Sequence, residues 1–294
     1  MSCRTAPLSA LSLVVAIVAG LPGVTFAYSL LPLAIEEAQT LPNDVIEATL
    51  GINYFRNLRY PPFTPPSIIT SETLMSLPIV AFRVGVGDWA EFQASYEMLY
   101  LNETAANGTT NNQYGGGDAR IGAKLWFLRE GNLWPALGMR LVTKLPNATR
   151  PSGLGTDDTD FGASALASKT LGPLSVHANL GILLLGNSGP TFGNSFGAGG
   201  QDDLVSYAIG VASKPLAATV DGATTVRLMG EIAGQTASRF DNDLSDIRVG
   251  LQAQHGRGTL YLGVSTGLVS GSEEIGVNAG FTYTFNPFTL FASD

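Results

Sequence analysis

From Val45 onward apolar and polar residues alternate one by one, and the alternation returns in segment after segment as far as Phe285. In Val45–Phe55 one parity holds Ile46, Ala48, Leu50, Ile52 and Tyr54, and the other holds Glu47, Thr49, Gly51 and Asn53. Val80–Val86 and Phe92–Tyr100 repeat the scheme, as do Phe161–Lys169, Leu174–Leu185, Val205–Val211, Val226–Gln235, Ile247–Gln254, Leu260–Leu268 and Ile275–Phe285. Successive side chains of a strand point to opposite faces, so each stretch predicts a strand with one apolar face. The fullest example is the hairpin Asp118–Leu145. Its first arm sets Ala119, Ile121, Ala123, Leu125 and Phe127 against Arg120, Gly122, Lys124 and Trp126. After a turn at Arg129–Asn132, the second arm sets Leu137, Met139 and Leu141 against Ala136, Gly138, Arg140 and Lys144.

The pattern gives about twelve strands of roughly ten residues, the length that crosses a bilayer when tilted. Long polar connections at 58–77, 102–117, 146–158, 186–203, 236–244 and 269–274 alternate with mostly short ones at 87–89, 129–132, 171–173, 213–224 and 255–258. Pro61, Pro62, Pro65 and Pro66 mark the first of these as a loop, since proline cannot donate to a ladder, while its end, from about Ser71, is open to either loop or strand. Short turns at one end and long loops at the other are the asymmetry of outer-membrane barrels, and place both chain ends on the periplasmic side. A soluble sandwich alternates too. Strand spacing decides against it, at about 15–20 residues rather than the ~8–12 of sandwiches. The polar faces are also rich in Gly, Ala and Ser, which suits a narrow lumen. Aromatics gather at strand ends as two interfacial girdles would, Tyr54, Tyr100 and Phe161 toward the loops and Phe92, Phe127, Tyr283 and Phe285 toward the turns. The fold expected is all-β, a transmembrane antiparallel up-and-down β-barrel.

Composition agrees with a lipid-facing exterior. Charged residues make up only 14% of the chain, against about 25% on average, and mean hydropathy is +0.20. Residues 1–27 read as a secretory signal peptide, with Arg4 before the apolar Leu11–Leu21 and a small-residue cleavage site at Thr25-Phe26-Ala27. Beyond Ala27 no apolar run is long enough for a spanning helix. Residues 28–42 form a proline-punctuated lead-in, periplasmic or entering the lumen, with one helical turn expected around Ile35–Ala38. The barrel is assigned to 43–285 and a tail to 286–294. Removing Arg4 leaves 15 basic against 24 acidic residues, a charge of −9 that argues against nucleic acid as a partner. The single cysteine, Cys3, excludes an internal disulfide, and with only His177 and His255 available a Cys/His metal centre is excluded too.

Candidate chemistry lies on the inward parity. Glu91 and Glu97 stand on the third strand, beside Arg120, Lys124, Arg140 and Lys144 on the hairpin, with Glu97 next to Arg120. An acidic strand beside a basic pair sets up a transverse field that orients polar solutes, as charged rings do in channels. The same residues could instead neutralise one another and fill a narrow lumen. Arg227, Glu231, Asp246 and Arg248 form a second, more evenly paired set, and Glu47, Arg83 and His177 complete the lining. Acidic clusters at Asp157–Asp160, Gln201–Asp203 and Asp241–Asp243 lack EF-hand spacing and read as solvated loop charge, so neither metal nor cofactor is expected. An outer-membrane hydrolase would need a Ser-His pair facing its lipid substrate. His255 falls in a turn, while His177 points inward with no serine of the phospholipase pattern beside it, so no enzymatic activity is expected.

Taken together, GDARIGAKLWFL, PALGMRLVTKLP, GLGTDDTDFG and SKTLGPLSVHANLG resemble the MetA-pathway of phenol degradation family of outer-membrane proteins, over about Ile35–Phe285. The resemblance implies a Gram-negative outer-membrane channel or transporter, with aromatic or other small hydrophobic compounds as its solutes. Two functions follow. One is a monomeric, porin-like channel passing small solutes by diffusion; the other is a plugged, non-conducting barrel with a structural, adhesive or surface-binding role through its loops. The partners expected are outer-membrane lipid and lipopolysaccharide, a small-molecule solute, and the barrel assembly machinery, through Phe281, Tyr283 and Phe285 of the final strand.

Overall fold

The structure is a computed structural model, and it describes residues 30–58, 69–148, 154–155, 157–186, 203–219, 222–237 and 243–287. Its strands are β1 (Ile46–Arg56), β2 (Ile69–Val86), β3 (Ala90–Ala105), β4 (Thr110–Gly116), β5 (Ala119–Leu128), β6 (Ala136–Leu145), β7 (Asp160–Leu171), β8 (Leu174–Leu184), β9 (Leu204–Ser213), β10 (Leu216–Ala217), β11 (Thr224–Ala237), β12 (Leu244–His255), β13 (Gly258–Gly267) and β14 (Ile275–Phe285). All pairings are antiparallel. β1 pairs with both β2 and β14, and β9 pairs with β11, so the sheet closes on itself. β4 prolongs the line of β5, because Ala90–Ser95 of β3 pair with β5 and Met98–Thr104 with β4. β10 is a two-residue bridge on β11. Twelve strands therefore make the wall. Closure leaves no sheet edge, which is how a sheet satisfies its backbone in lipid.

Burial is inverted relative to a soluble protein. Glu91 and Lys124 are 1% exposed, whereas Leu180 is 62% and Ile209 65% exposed. Leu50, Phe82, Phe92, Leu228 and Leu262 also stand outside, while Glu47, Thr49, His177, Gln252 and Thr282 are buried inside. The period-2 pattern sorts these faces, and only an apolar surrounding medium makes the outer one favourable.

At the loop end the strands run further than the alternation. β2 begins at Ile69, close to Ser71, from which the end of the 58–77 connection is open to being strand, while residues 59–68, with their prolines, lie outside the described residues. In the 102–117 connection, β3 runs on to Ala105 and turns into β4. Asn102 pairs with Asn112 and Tyr100 donates to Asn112 at 3.2 Å. At ~3.3 Å per residue β2 and β3 outrun the hydrocarbon layer, so the outward face of their outer ends no longer meets lipid and the alternation is lost. Near the loop end the inward Leu74, Leu99 and Leu101 pack with Ala148 and Leu154, covering that side of the mouth.

Residues 30–44 lie inside the barrel. They carry no helix; the segment is extended and turning, with no helical turn at Ile35–Ala38, because its N–H groups are taken by the wall. Leu30, Leu33 and Ile35 pack against Ala208, Ala212, Met229 and Ala233, and Ala38 against Ala136 and Leu166. Two of the three buried apolar clusters among the described residues are therefore contacts between this segment and the lumen.

Candidate functional site

The segment enters at the turn end, where Gly87 N–H donates to Asn43 Oδ1 at 2.7 Å and Asp44 N–H to Gly85 O at 3.2 Å. From there it crosses the lumen, and the wall holds it by its main chain. Glu91 accepts Leu41 N–H at 2.9 Å, and Ser168 Oγ accepts Ala38 N–H at 2.9 Å. Glu231 accepts Ala34 N–H at 2.6 Å and Ile35 N–H at 2.8 Å. With its amide turned to satisfy both groups, Asn179 accepts Glu36 N–H at 2.8 Å and donates to Glu36 O at 2.9 Å. Gln252 donates to Leu31 O at 2.6 Å, and Arg248 to Pro32 O at 3.3 Å. Charge-assisted hydrogen bonds of this kind are roughly twice as strong as neutral ones, which suits a segment that must hold an irregular backbone away from water.

Inward glycines make room for it. A Cβ at Gly85 would overlap Pro42 O, one at Gly138 would overlap Ala38 O, and one at Gly250 or Gly263 would overlap Pro32. These four glycines are thus fitted to the segment, while others, such as Gly51 and Gly280 beside Tyr261, make room for side chains of the wall.

Arg83, Arg120, Lys124, Arg140, Lys144 and Arg248 each sit beside a carboxylate. Arg83 bridges Glu47 at 3.0 Å and Glu91 at 2.7 Å, and Lys124 lies 3.6 Å from Glu91. Arg120 meets Glu97 at 2.9 Å. Lys144 sits apart, between Asp118 at 3.3 Å and Asp160 at 2.7 Å. Arg248 meets Glu231 at 3.5 Å and Asp246 at 3.1 Å, whereas Arg227 donates to Ser213 O at 3.1 Å. The four basic residues of the hairpin therefore do not form one unit: Arg120 and Lys144 each have acids of their own, while Lys124 and Arg140 share Glu36. Asp160, expected as solvated loop charge, is buried on Lys144. Of the other two acidic clusters, Gln201-Asp202 and Asp241-Asn242 lie outside the described residues.

His177 points inward and has serines beside it after all. Ser168, directly opposite on β7, stands 2.9 Å from Nδ1, and Ser175 stands 3.0 Å from Nε2. They are neighbours across a strand pair or two residues apart, which no local motif shows. Ser175 Oγ donates to Ala212 O at 3.3 Å and so accepts from Nε2–H, which leaves Nδ1 to accept from Ser168. The pair is buried under the segment and faces no substrate; its role is to seat Ala38.

The acids missed in the sequence are Glu36 and Glu37, adjacent on an otherwise apolar segment. Glu36 lies 2.9 Å from Arg140 and 3.9 Å from Lys124, and takes a hydrogen bond from Gln93 at 3.1 Å. Burial alone would raise its carboxyl, but Arg140, Lys124 and Arg83 outweigh that and hold it below the ordinary range. Glu37 has a buried oxygen, Oε1, without a hydrogen bond, and burial pushes its carboxyl up to about 7. A cavity of about 290 Å³ remains between these glutamates, Leu31 and Leu33 on one side and Arg83, Arg120, Lys124 and Arg140 on the other. Among the described residues no cluster of His, Cys, Asp and Glu could hold a metal ion.

No family model matches the chain, and no curated protein matches it. Solved structures do. The COG4313 outer membrane channel from Pseudomonas putida F1 superposes with a TM-score of 0.60 at 15% identity, over 84% of this chain and 98% of that one. The translocator domain of the autotransporter NalP from Neisseria meningitidis gives 0.52 at 11% identity, over 82% of this chain and 88% of that one. At such identities the likeness concerns architecture. The chain has the closed twelve-stranded fold of an outer-membrane β-barrel, similar to an outer-membrane channel.

Proposed function

We propose that this chain is an outer-membrane channel for small solutes, exported by residues 1–27 and closed in the described state by residues 30–44. The single observation that carries the reading is how the segment is held. It is bound across the lumen by wall side chains that reach its backbone, with a solute-sized space of about 290 Å³ left beside it. A barrel meant only to be solid could fill its lumen with its own wall side chains, as small barrels do. Here glycines keep the wall back, and the filling is one continuous piece that joins the wall at Val45. The likeness to the COG4313 channel supports the same reading. The resemblance of its motifs to the MetA-pathway of phenol degradation family supports aromatic or small hydrophobic compounds as solutes.

The number of main-chain contacts favours a second reading, a barrel whose filling never leaves and whose work is done at the loops. Liposome swelling with a panel of small solutes, neutral, anionic and aromatic, separates the two. Swelling in any solute that empty vesicles exclude is the expected result. No swelling in any solute, from vesicles shown to contain folded barrel, would leave the second reading standing.

A further inference from the structure

One contact in the lumen has the composition of a ligand site. The carboxylate of Glu36 is gripped by Arg140, Gln93 and Lys124, from three adjacent wall strands. The ladder fixes that grip: Lys124 is directly opposite Arg140, and Gln93 is opposite Gly122, whose missing side chain keeps the space open. Arg140 is steadied by Gln93 Oε1 at 2.8 Å, and Lys124 by Glu91 at 3.6 Å, so the donors keep their places whatever carboxylate they receive. Glu36 does not fill the site. Its side chain is 27% exposed, and it lines the cavity that also holds Arg120 and the apolar Leu31 and Leu33.

Charge balance says what could replace it. Arg83, Lys124 and Arg140 face Glu36, Glu47 and Glu91, three cations for three anions. If the segment leaves and a neutral solute enters, three cations face the two wall carboxylates Glu47 and Glu91, and Arg140 is left without its partner, which is unfavourable. An entering anion restores the balance. Ala81 and Val142 of the wall, which line the same cavity and stay when the segment leaves, offer its remainder an apolar surface.

We propose that Arg140, Gln93 and Lys124 form the binding site for a small organic carboxylate with a short apolar body, and that Glu36 occupies the site in its stead while the segment is seated. Solute binding and release of the segment are then one competition. The site itself rests on the geometry; the competition rests on the channel reading.

The test uses the refolded chain in detergent, titrated by NMR with hexanoate and with hexanamide, its neutral counterpart. Glu36→Gln should bind hexanoate about tenfold more tightly than the parent, since the internal competitor loses its charge. Arg140→Gln should bind it at least about tenfold more weakly than the parent. Hexanamide should gain in neither. Equal hexanoate affinity in the parent and Glu36→Gln, or hexanamide binding as well as hexanoate, would overturn the proposal. Should Glu36→Gln fail to refold, unchanged binding in Arg140→Gln overturns it equally. Liposome flux measured in parallel keeps the two readings apart. Hexanoate binding without flux of any solute upholds the site and sinks the channel; flux without preference for hexanoate sinks the site and leaves the channel.

Discussion

Glu231 and Ile35 lie 196 residues apart in the chain and 2.8 Å apart in the lumen, carboxylate to backbone N–H. The same carboxylate takes Ala34 N–H at 2.6 Å and faces Arg248 at 3.5 Å. Glu231→Gln keeps the shape and removes the charge. A hydrogen bond to a charged group is worth about 1.5–3 kcal/mol, so the variant should raise the open probability of single channels roughly ten- to a hundredfold. An unchanged open probability would mean that this contact does not hold the segment.

Acidity should act on the seated segment from both sides. Glu36 is held below the ordinary 4.5, so its contribution to docking is lost as pH falls through that depressed value. Glu37 is pushed up to about 7 by burial, against the pull of Lys124, Arg83 and Arg227 and with Glu91 adding to it. Its neutral form favours docking, and that advantage is lost as pH rises from about 4.5 to about 7. Open probability should therefore be lowest near pH 4.5 and higher at 7.5, and Glu37→Gln should flatten the upper limb. A response flat from pH 5 to 8 in the parent would remove Glu37 from the account.

Depth in the bilayer should grade the cost of charge on the outer face. Leu180, near the middle of β8 and 62% exposed, should cost about 2–4 kcal/mol on replacement by arginine, read from denaturant unfolding in vesicles. Leu137, at the turn end of β6, should cost about 0–1 kcal/mol for the same change. Equal costs would place the lipid boundary elsewhere.

The contrast between these positions shows what the sequence could carry. Leu180 and Ile209 were legible as outward residues because period 2 is written residue by residue, and closure follows from strand number and connection length. The ends of β2 and β3 were not legible, because Asn102 and Asn112 sit beyond the lipid, where neither face must be apolar. Arg120 beside Glu97 could be placed from strand order. Arg140 beside Glu36 could not, because Glu36 belongs to no strand and has no register. The lumenal glycines did carry a signal: Gly138 and Gly250 read as a narrow lumen, and what they fit is the backbone of Ala38 and the ring of Pro32.

Tethering should turn closure on and off in one molecule. Ala38 and Ser168 meet through a 2.9 Å hydrogen bond, and the chain has no cysteine after Cys3. A barrel refolded from residue 28 onward with Ala38→Cys and Ser168→Cys should lose its opening transitions when oxidised and regain them in reductant. Identical traces in both states, with the disulfide confirmed by mass, would mean that conduction does not require the segment to move.

The most direct measurement is single-channel conductance in a planar bilayer, comparing the barrel begun at residue 28 with one lacking residues 30–42. The full barrel should show a low current with brief openings, and the shortened one a steady current several-fold larger. Equal currents from the two would contradict closure by the N-terminal segment.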